Sequence, residues 1–145
     1  MTGTPDHGNP VPQGDYIAAT RHGALIFTAG MTPRRDGRLM FHGPVRKDQP
    51  PETHREAVVL ACSNALRAAR SMLAPGESVT AILSMTVYVA AEEGYTAHSA
   101  LADFASQFLH AQLGSAGIGS RCAVGVATLP GNAPVEIQLV AAAGD

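Results

Sequence analysis

The sequence contains no tryptophan, and only 5% of its 145 residues are aromatic, so its core must be built from aliphatic side chains. Its two cysteines, Cys62 and Cys122, match neither a CxxC motif nor a zinc-binding spacing, and we expect both to be small buried hydrophobic residues. No apolar run approaches the roughly 20 residues that a membrane-spanning helix needs. The N-terminus has neither a basic start nor an apolar segment, so it does not resemble a signal peptide, and we expect a cytoplasmic protein.

A basic surplus is also missing. The formal net charge is −2, whereas proteins that bind nucleic acids need positive charge to neutralise phosphates. Five of the ten basic residues lie between positions 34 and 47, but Asp36 and Asp48 interrupt them, which favours a solvated loop. The six histidines show no HxH or HExxH spacing, so the sequence predicts no metal site.

The chain is predicted to form one domain over residues 15–145, after a flexible tail over residues 1–14 that is rich in Gly, Pro and Asp. Two short strands over 16–20 and 24–29 suit a hairpin, with Arg21-His22-Gly23 as its turn. A turn at Asp36-Gly37 and a short strand over 39–41 precede the first helix. The later elements are a helix over 53–73, a strand over 78–90, a helix over 95–113, and strands over 121–128 and 135–141.

Local signals support this division into helices and strands. Thr53 and Glu56 have the spacing of a capping box, and Gly114 stands where the second helix should end. Residues 78–90 alternate between apolar and polar side chains, as a strand does. The sequence therefore predicts an α+β fold, a single sheet of about five to six strands with two helices packed on one face.

The last two strands carry the residues of greatest chemical interest. Arg121, Ala123 and Gly125 share one side of the first strand, and Glu136 and Gln138 share one side of the second. The alternate positions are apolar, so we expect those to meet the helices. The arginine and the glutamate would then lie on the open face among small neighbours, where a ligand or another subunit has room.

Both side chains suit the binding of a small organic acid. A guanidinium matches a carboxylate with two parallel hydrogen bonds, so Arg121 is a candidate carboxylate anchor. A half-buried carboxylate such as Glu136 can orient water or move a proton. The alternative is a structural ion pair between them at a subunit interface, which composition alone favours because such pairs outnumber catalytic ones.

The segment 120–140 resembles the signature of the RidA/YjgF superfamily, also called endoribonuclease L-PSP. The shared features are an arginine that opens a strand, Leu-Pro in the following turn, and a glutamate 15 residues after the arginine. The resemblance extends from about Gly14 to Ala142. Other matching segments are Asp15-Tyr16, Phe27 to Gly30, Asn64 to Leu66 and Met85 to Val89.

This resemblance implies a chorismate-mutase-like fold and a homotrimer with clefts between subunits. It also implies hydrolysis of 2-imino acids to 2-oxo acids and ammonia, without a metal or an organic cofactor. Arg121 would bind the substrate carboxylate, and Glu136 would position the attacking water. Tyr16 would line the cleft, and backbone groups of Gly30 and Ala123 would contact the substrate nitrogen.

Three departures from the family pattern make this cleft less polar. Ala29 and Met31 replace a serine and a glutamine, and Ala123 replaces a cysteine. They suggest a divergent branch with another substrate, or a regulatory trimer that binds a small carboxylate metabolite without turnover. A third hypothesis, a ribonuclease or RNA-binding role, follows from a label that some members carry. The spacing leaves open whether Arg121 and Glu136 meet within one subunit or across two.

Overall fold

Helices and strands follow the predicted order in the computed structural model, which describes residues 8–145. In chain order they are β1 (Ala19–His22), β2 (Leu25–Thr28), β3 (Arg34–Arg35), β4 (Arg38–Leu39), α1 (Arg55–Arg70), β5 (Ser78–Ala90), α2 (His98–Leu113), β6 (Ser120–Val126) and β7 (Val135–Gly144).

Five of the strands form one sheet in the order β1-β2-β7-β5-β6. Strand β6 is parallel to β5, and the other neighbours are antiparallel. A parallel pair needs a crossover connection, and α2 supplies it between β5 and β6. With α1 and α2 packed against a single sheet, the predicted α+β fold is confirmed.

The core lies between the sheet and the two helices. Along β7 the odd-numbered positions are buried, and Val135, Ile137 and Leu139 have no exposed surface. The facing surface of α1 is made of small side chains such as Ala61 and Ala65, which let the helix lie close to the sheet. Because side chains alternate along a strand, Glu136 must point to the face that the helices leave uncovered.

Strand β5 has the predicted ends, but its side chains do not alternate throughout. Its register against β7 shifts between Val79 and Ala81 and again between Ile82 and Ser84. As a result Ile82 is buried, while Leu83 is 42% exposed. The prediction that Leu83 shares the apolar side of this strand was wrong, because a β-bulge reverses the facing of later residues.

The capping box predicted for the first helix is also wrong. Residues Pro51–His54 form a short 3-10 turn, in which the Thr53 N–H donates to the carbonyl of Pro50 at 3.0 Å. Helix α1 begins only at Arg55 and has no side-chain cap. The consecutive prolines account for this delay, since proline fixes φ and is tolerated in a first turn.

Other boundaries moved by a few residues. Helix α1 ends at Arg70, and α2 begins at His98 instead of at position 95. Arg21 and His22 lie in β1, so Gly23, with a φ of 59°, starts the hairpin turn. The turn at Asp36-Gly37 is confirmed, since it joins β3 to β4.

The predicted flexible tail, residues 1–14, falls partly on residues 1–7, which lie outside the described residues. Residues 8–14 form neither helix nor strand, and residues 8–13 line a cavity described below. Within residues 8–145, no helix is both long and apolar enough to cross a membrane.

Candidate functional site

Arg121 lies on the helix side of the sheet. It is paired with Met85, which is paired in turn with the fully buried Leu139, so all three side chains share the covered face. The prediction that Arg121 faces away from the helices was therefore wrong. Strand β6 is at the edge of the sheet, where α2 presents polar side chains to it. The face of β6 that carries Arg121, Ala123 and Gly125 can therefore lie against α2.

The guanidinium of Arg121 is held by three side chains of α2. Its Nη1 lies 2.7 Å from a carboxylate oxygen of Asp103 and donates to the hydroxyl of Ser106 at 2.8 Å. Its Nη2 donates to the hydroxyl of Ser99 at 2.8 Å and to the Ser99 carbonyl at 3.3 Å. Of the three guanidinium nitrogens, only Nε lacks a partner among residues 8–145. A second carboxylate must therefore displace one of these contacts to bind bidentately.

Glu136 lies on the opposite, uncovered face. It is paired with Tyr88 of β5, which is paired in turn with Val124 of β6. The carboxylate is half-buried and has no hydrogen-bond or ion-pair partner among residues 8–145. Burial raises the pKa of Glu136 above its ordinary value, because it penalises the charged form.

Gly30 makes room for this carboxylate. A Cβ atom at position 30 would lie 2.7 Å from both Cδ and Oε2 of Glu136, closer than real contacts allow. The neighbouring Met31 fixes the approach, since its backbone and that of Ile137 exchange two hydrogen bonds of 2.8 Å. The side chain of Glu136 therefore packs directly against the backbone of Gly30.

Several large apolar side chains share the uncovered face with Glu136. Leu25 is paired with Ala142, and Phe27 is paired with Val140, which places both on the same face as Glu136. These two are 38% and 40% exposed. Val124 on β6 is similarly exposed, so apolar surface extends across the width of the sheet.

Arg121 and Glu136 consequently do not meet within one chain. They occupy opposite faces of the sheet on β6 and β7, with β5 between them. They form no ion pair with each other within the chain, where the carboxylate that Arg121 holds is Asp103. An ion pair between them at a subunit interface stays a prediction. The candidate residues form two separate groups, one around each face.

The remaining predicted residues divide between these groups. Ala123 follows Arg121 on β6 and is partly buried against the core. Tyr16 is 48% exposed, and its hydroxyl accepts a hydrogen bond from the backbone N–H of Gln13 at 3.2 Å. Tyr16 and Gly30 both line a cavity of about 450 Å³ beside α1.

Asp103 and Ser106 are partners of Arg121 that were not predicted from the sequence. With Ser99 they occupy positions separated by four and three residues, so they lie on one face of α2. The signal available in the sequence was this polar stripe on α2, the helix that precedes the strand with Arg121.

A second cavity, of about 510 Å³, opens where β6 meets the start of α2. Its wall includes Tyr95, His98 and Gly125, and a Cβ at position 125 would lie 2.6 Å from Nε2 of His98. Burial raises the pKa of Tyr95, whose hydroxyl has no hydrogen-bond partner among the described residues. Across residues 8–145, no three His, Cys, Asp or Glu side chains are grouped as a metal site would require.

The whole fold has close counterparts among solved structures. Atu1372 of Agrobacterium tumefaciens, a protein of unknown function, matches with a TM-score of 0.84 and 26% identity, over 95% of this chain and 88% of its own. The Escherichia coli protein TdcF, solved with bound serine, has a TM-score of 0.67 and 21% identity, over 92% of each chain. The E. coli yjgF gene product has a TM-score of 0.67 and 20% identity, also over 92% of each chain.

Among curated protein sequences, none matches this chain. The family model described as endoribonuclease L-PSP, in contrast, matches residues 7–143, which is nearly the whole chain. This match and the structural counterparts agree with the arginine, Leu-Pro and glutamate signature of the last two strands. The chain belongs to the endoribonuclease L-PSP family, the group that includes YjgF.

Proposed function

We propose that the protein hydrolyses reactive 2-imino or enamino acids to 2-oxo acids and ammonia in a cleft between subunits of a homotrimer. Arg121 anchors the substrate carboxylate, and Glu136 positions the attacking water. Tyr16 lines the cleft, while backbone groups of Gly30 and Ala123 contact the substrate nitrogen. The observation that carries the proposal is the half-buried Glu136 carboxylate, which has no partner among residues 8–145 and a raised pKa.

A site that uses both Arg121 and Glu136 requires two copies of the chain, because one copy turns them to opposite faces of its sheet. Arg121 lies on the edge strand, where a neighbouring copy can approach. The exposed apolar side chains around Glu136, such as Phe27 and Val124, would be buried by that copy. This arrangement supports an assembly in which Arg121 of one subunit faces Glu136 of the next.

The reaction asks little of the protein beyond orientation and proton transfer. A water oxygen attacks the imine carbon as Glu136 accepts a proton from that water, and Glu136 then passes this proton to the nitrogen to give a carbinolamine. Glu136 next takes the proton of the carbinolamine hydroxyl and gives it to the nitrogen, so that the C–N bond breaks, ammonia leaves and the carbonyl of the 2-oxo acid forms. The raised pKa of Glu136 suits a group that both accepts and returns a proton.

Two further points bear on the substrate. The serine bound in TdcF carries a carboxylate and a nitrogen on adjacent positions, as a 2-imino acid does. Ala29 and Met31 supply neither the hydroxyl nor the amide found at these positions in the best-known relatives. The cleft is therefore less polar, which favours imino acids with apolar side chains.

The direct test generates an imine in situ from an apolar L-amino acid with an amino-acid oxidase and follows the release of the 2-oxo acid. The wild-type protein should accelerate this release, and Arg121→Ala and Glu136→Gln should abolish the acceleration. Arg70→Ala is the matched control, since Arg70 is exposed at the end of α1, outside the proposed site. Failure to accelerate release from several imino acids would refute the enzymatic proposal.

A second candidate function is a regulatory trimer that binds a small carboxylate metabolite without turnover. The contacts of Arg121 with Ser99, Asp103 and Ser106 favour it, because they hold the guanidinium in place independently of catalysis. A 2-oxo acid should then raise the melting temperature, as binding to the folded state requires. Arg121→Ala should remove that increase, and an unchanged increase would exclude the arginine as the anchor.

A further inference from the structure

The cavity of about 450 Å³ beside α1 has a strongly basic wall. Among residues 8–145, three arginines line it, Arg34 and Arg35 from β3 and Arg67 from α1, and Asp36 is the one carboxylate of that described lining. A concave surface with this charge imbalance concentrates anions more effectively than an exposed patch does. None of these arginines takes part in the site proposed for imine hydrolysis, although Tyr16 and Gly30 of that site also line this cavity.

Two of the three guanidinium groups donate hydrogen bonds to backbone carbonyls of residues in the cavity lining. Nη1 of Arg34 donates to the carbonyl of Gly37 at 3.0 Å, and Nη1 of Arg67 donates to the carbonyl of Gly8 at 3.3 Å. Both carbonyls belong to residues that line the cavity. Each guanidinium has five N–H donors, so each keeps most of its hydrogen-bonding capacity for a ligand.

The buried amide of Asn64 fixes the two sides of the cavity relative to each other. Its Nδ2 donates to the carbonyl of Thr32 at 3.1 Å and to that of Arg34 at 2.8 Å. Asn64 lies on α1, one turn before Arg67, and is only 6% exposed. These bonds connect the backbone that carries Arg34 and Arg35 to the helix that carries Arg67. The two sides of the cavity are therefore already held in place before a ligand binds, which lowers the entropic cost of binding.

We propose that this cavity binds a small molecule that carries a phosphoryl group. Its volume lies within the range of small-molecule sites. A phosphoryl group carries up to about two negative charges and three acceptor oxygens, which matches several guanidinium groups. A single carboxylate offers one charge and two oxygens, and so leaves part of this wall unsatisfied.

An RNA strand is the other phosphate-bearing candidate, but the surroundings favour a small molecule. The chain has a formal net charge of −2, and the arginines line a cavity instead of an extended track. Single-stranded nucleic acid is normally held in a long basic groove with aromatic stacking platforms. In the part of the lining that the structure describes, Tyr16 is the only Phe, Tyr or Trp side chain.

The test is isothermal titration calorimetry of the full chain with inorganic pyrophosphate at constant ionic strength. We expect saturable binding with one pyrophosphate per chain, weakened about tenfold or more in Arg35→Ala/Arg67→Ala. Arg70→Ala should bind as the wild type does, because Arg70 lies on the same helix but not in the cavity wall. If the alanine double variant does not fold, Arg35→Gln/Arg67→Gln keeps the side-chain bulk and removes both charges.

Three results would overturn the proposal. The first is no saturable heat with pyrophosphate, or equal affinity in the double variant and the wild type. The second is equal or tighter binding of citrate, which would indicate a polycarboxylate ligand. The third is an RNA oligonucleotide that binds more tightly than pyrophosphate and depends on the same arginines.

Discussion

The guanidinium of Arg121 lies 2.7 Å from the carboxylate of Asp103, so the proposed carboxylate anchor already holds a carboxylate of its own chain. Asp103 is 56% exposed, whereas Arg121 is 25% exposed, so the aspartate is the partner that an incoming acid can displace most easily. Affinity for a substrate carboxylate then depends on the competition between the two carboxylates.

Asp103→Asn should strengthen the binding of small carboxylates, because it removes the competing charge but keeps the shape of the side chain. Exposed ion pairs are worth up to about 1 kcal/mol, so we expect the KM or the Kd to fall by about twofold to fivefold. The measurement is the KM for imine hydrolysis, or the Kd for a 2-oxo acid. Asp48→Asn, at an exposed position in another part of the chain, should change neither, and weaker binding in Asp103→Asn would contradict the prediction.

Gly30→Ala should reduce activity without unfolding the protein. The added methyl would lie 2.7 Å from Cδ of Glu136, and that side chain can move away, whereas a backbone could not. We expect kcat to fall by about tenfold or more because the carboxylate is misplaced, with little change in the melting temperature. A double-mutant cycle with Glu136→Gln should be strongly non-additive, and additive losses would show that Gly30 acts elsewhere.

Mixing two inactive variants should restore activity if the site is formed between copies. Arg121→Ala keeps an intact Glu136, and Glu136→Gln keeps an intact Arg121, so a mixed assembly regains complete sites. With equal amounts reassembled at random in a cyclic oligomer, about a quarter of the sites should be complete. The assay compares the activity of the mixture with that of each variant alone. Absence of recovery after confirmed subunit exchange would mean that the two residues do not share a site.

Glu136 should make stability depend on pH. Its folded-state pKa is raised, so the folded state binds a proton more tightly than the unfolded state, and stability falls as pH rises from the ordinary value of 4.5 through the raised value. Glu136→Gln lacks this titration. Its melting temperature relative to that of the wild type should therefore be higher at neutral pH than at acidic pH. The prediction would be contradicted if the melting temperatures of Glu136→Gln and the wild type differed by the same amount at acidic and at neutral pH.

The opposite dependence is expected for Glu77. Its carboxylate accepts two hydrogen bonds from Arg21, at 2.5 and 2.8 Å, which with the Ala74 N–H lowers the pKa of Glu77 to about 2. The stability that it contributes is present above its ordinary pKa of 4.5 and is lost as pH falls towards 2. Glu77→Gln should therefore melt several degrees lower at neutral pH. The difference should disappear in strong acid, and if it persisted there the contribution would not be ionic.

Much of the fold follows from local sequence. The ends of β5 are predicted correctly because apolar and polar side chains alternate near both of them, and the Asp36-Gly37 turn is predicted because its residues suit positive φ. The bulge near Leu83 is not predictable in this way, since it depends on the pairing of β5 with β7. An alternation pattern assigns residues to the two sides of a strand. The assignment becomes wrong where a bulge shifts the pairing of that strand with its neighbour.

The error at Arg121 has a different cause. Alternation shows that Arg121 and Ala123 share a side, but not which side the helices cover, and the apolar valines on the other side of β6 suggested the reverse. The deciding interactions come from Asp103 and Ser106, which are distant in sequence and become neighbours only when α2 packs on the edge strand. Long-range polar contacts of this kind leave no periodic signal in the strand itself.

The close packing of Gly30 against Glu136 has an evolutionary consequence. As long as position 136 holds a glutamate in this conformation, any side chain at position 30 collides with it. A relative that replaces the glutamate with a smaller residue is released from this restriction. Across the family, the loss of glycine at one position should therefore accompany the loss of glutamate at the other, so the two positions should be inherited as a pair.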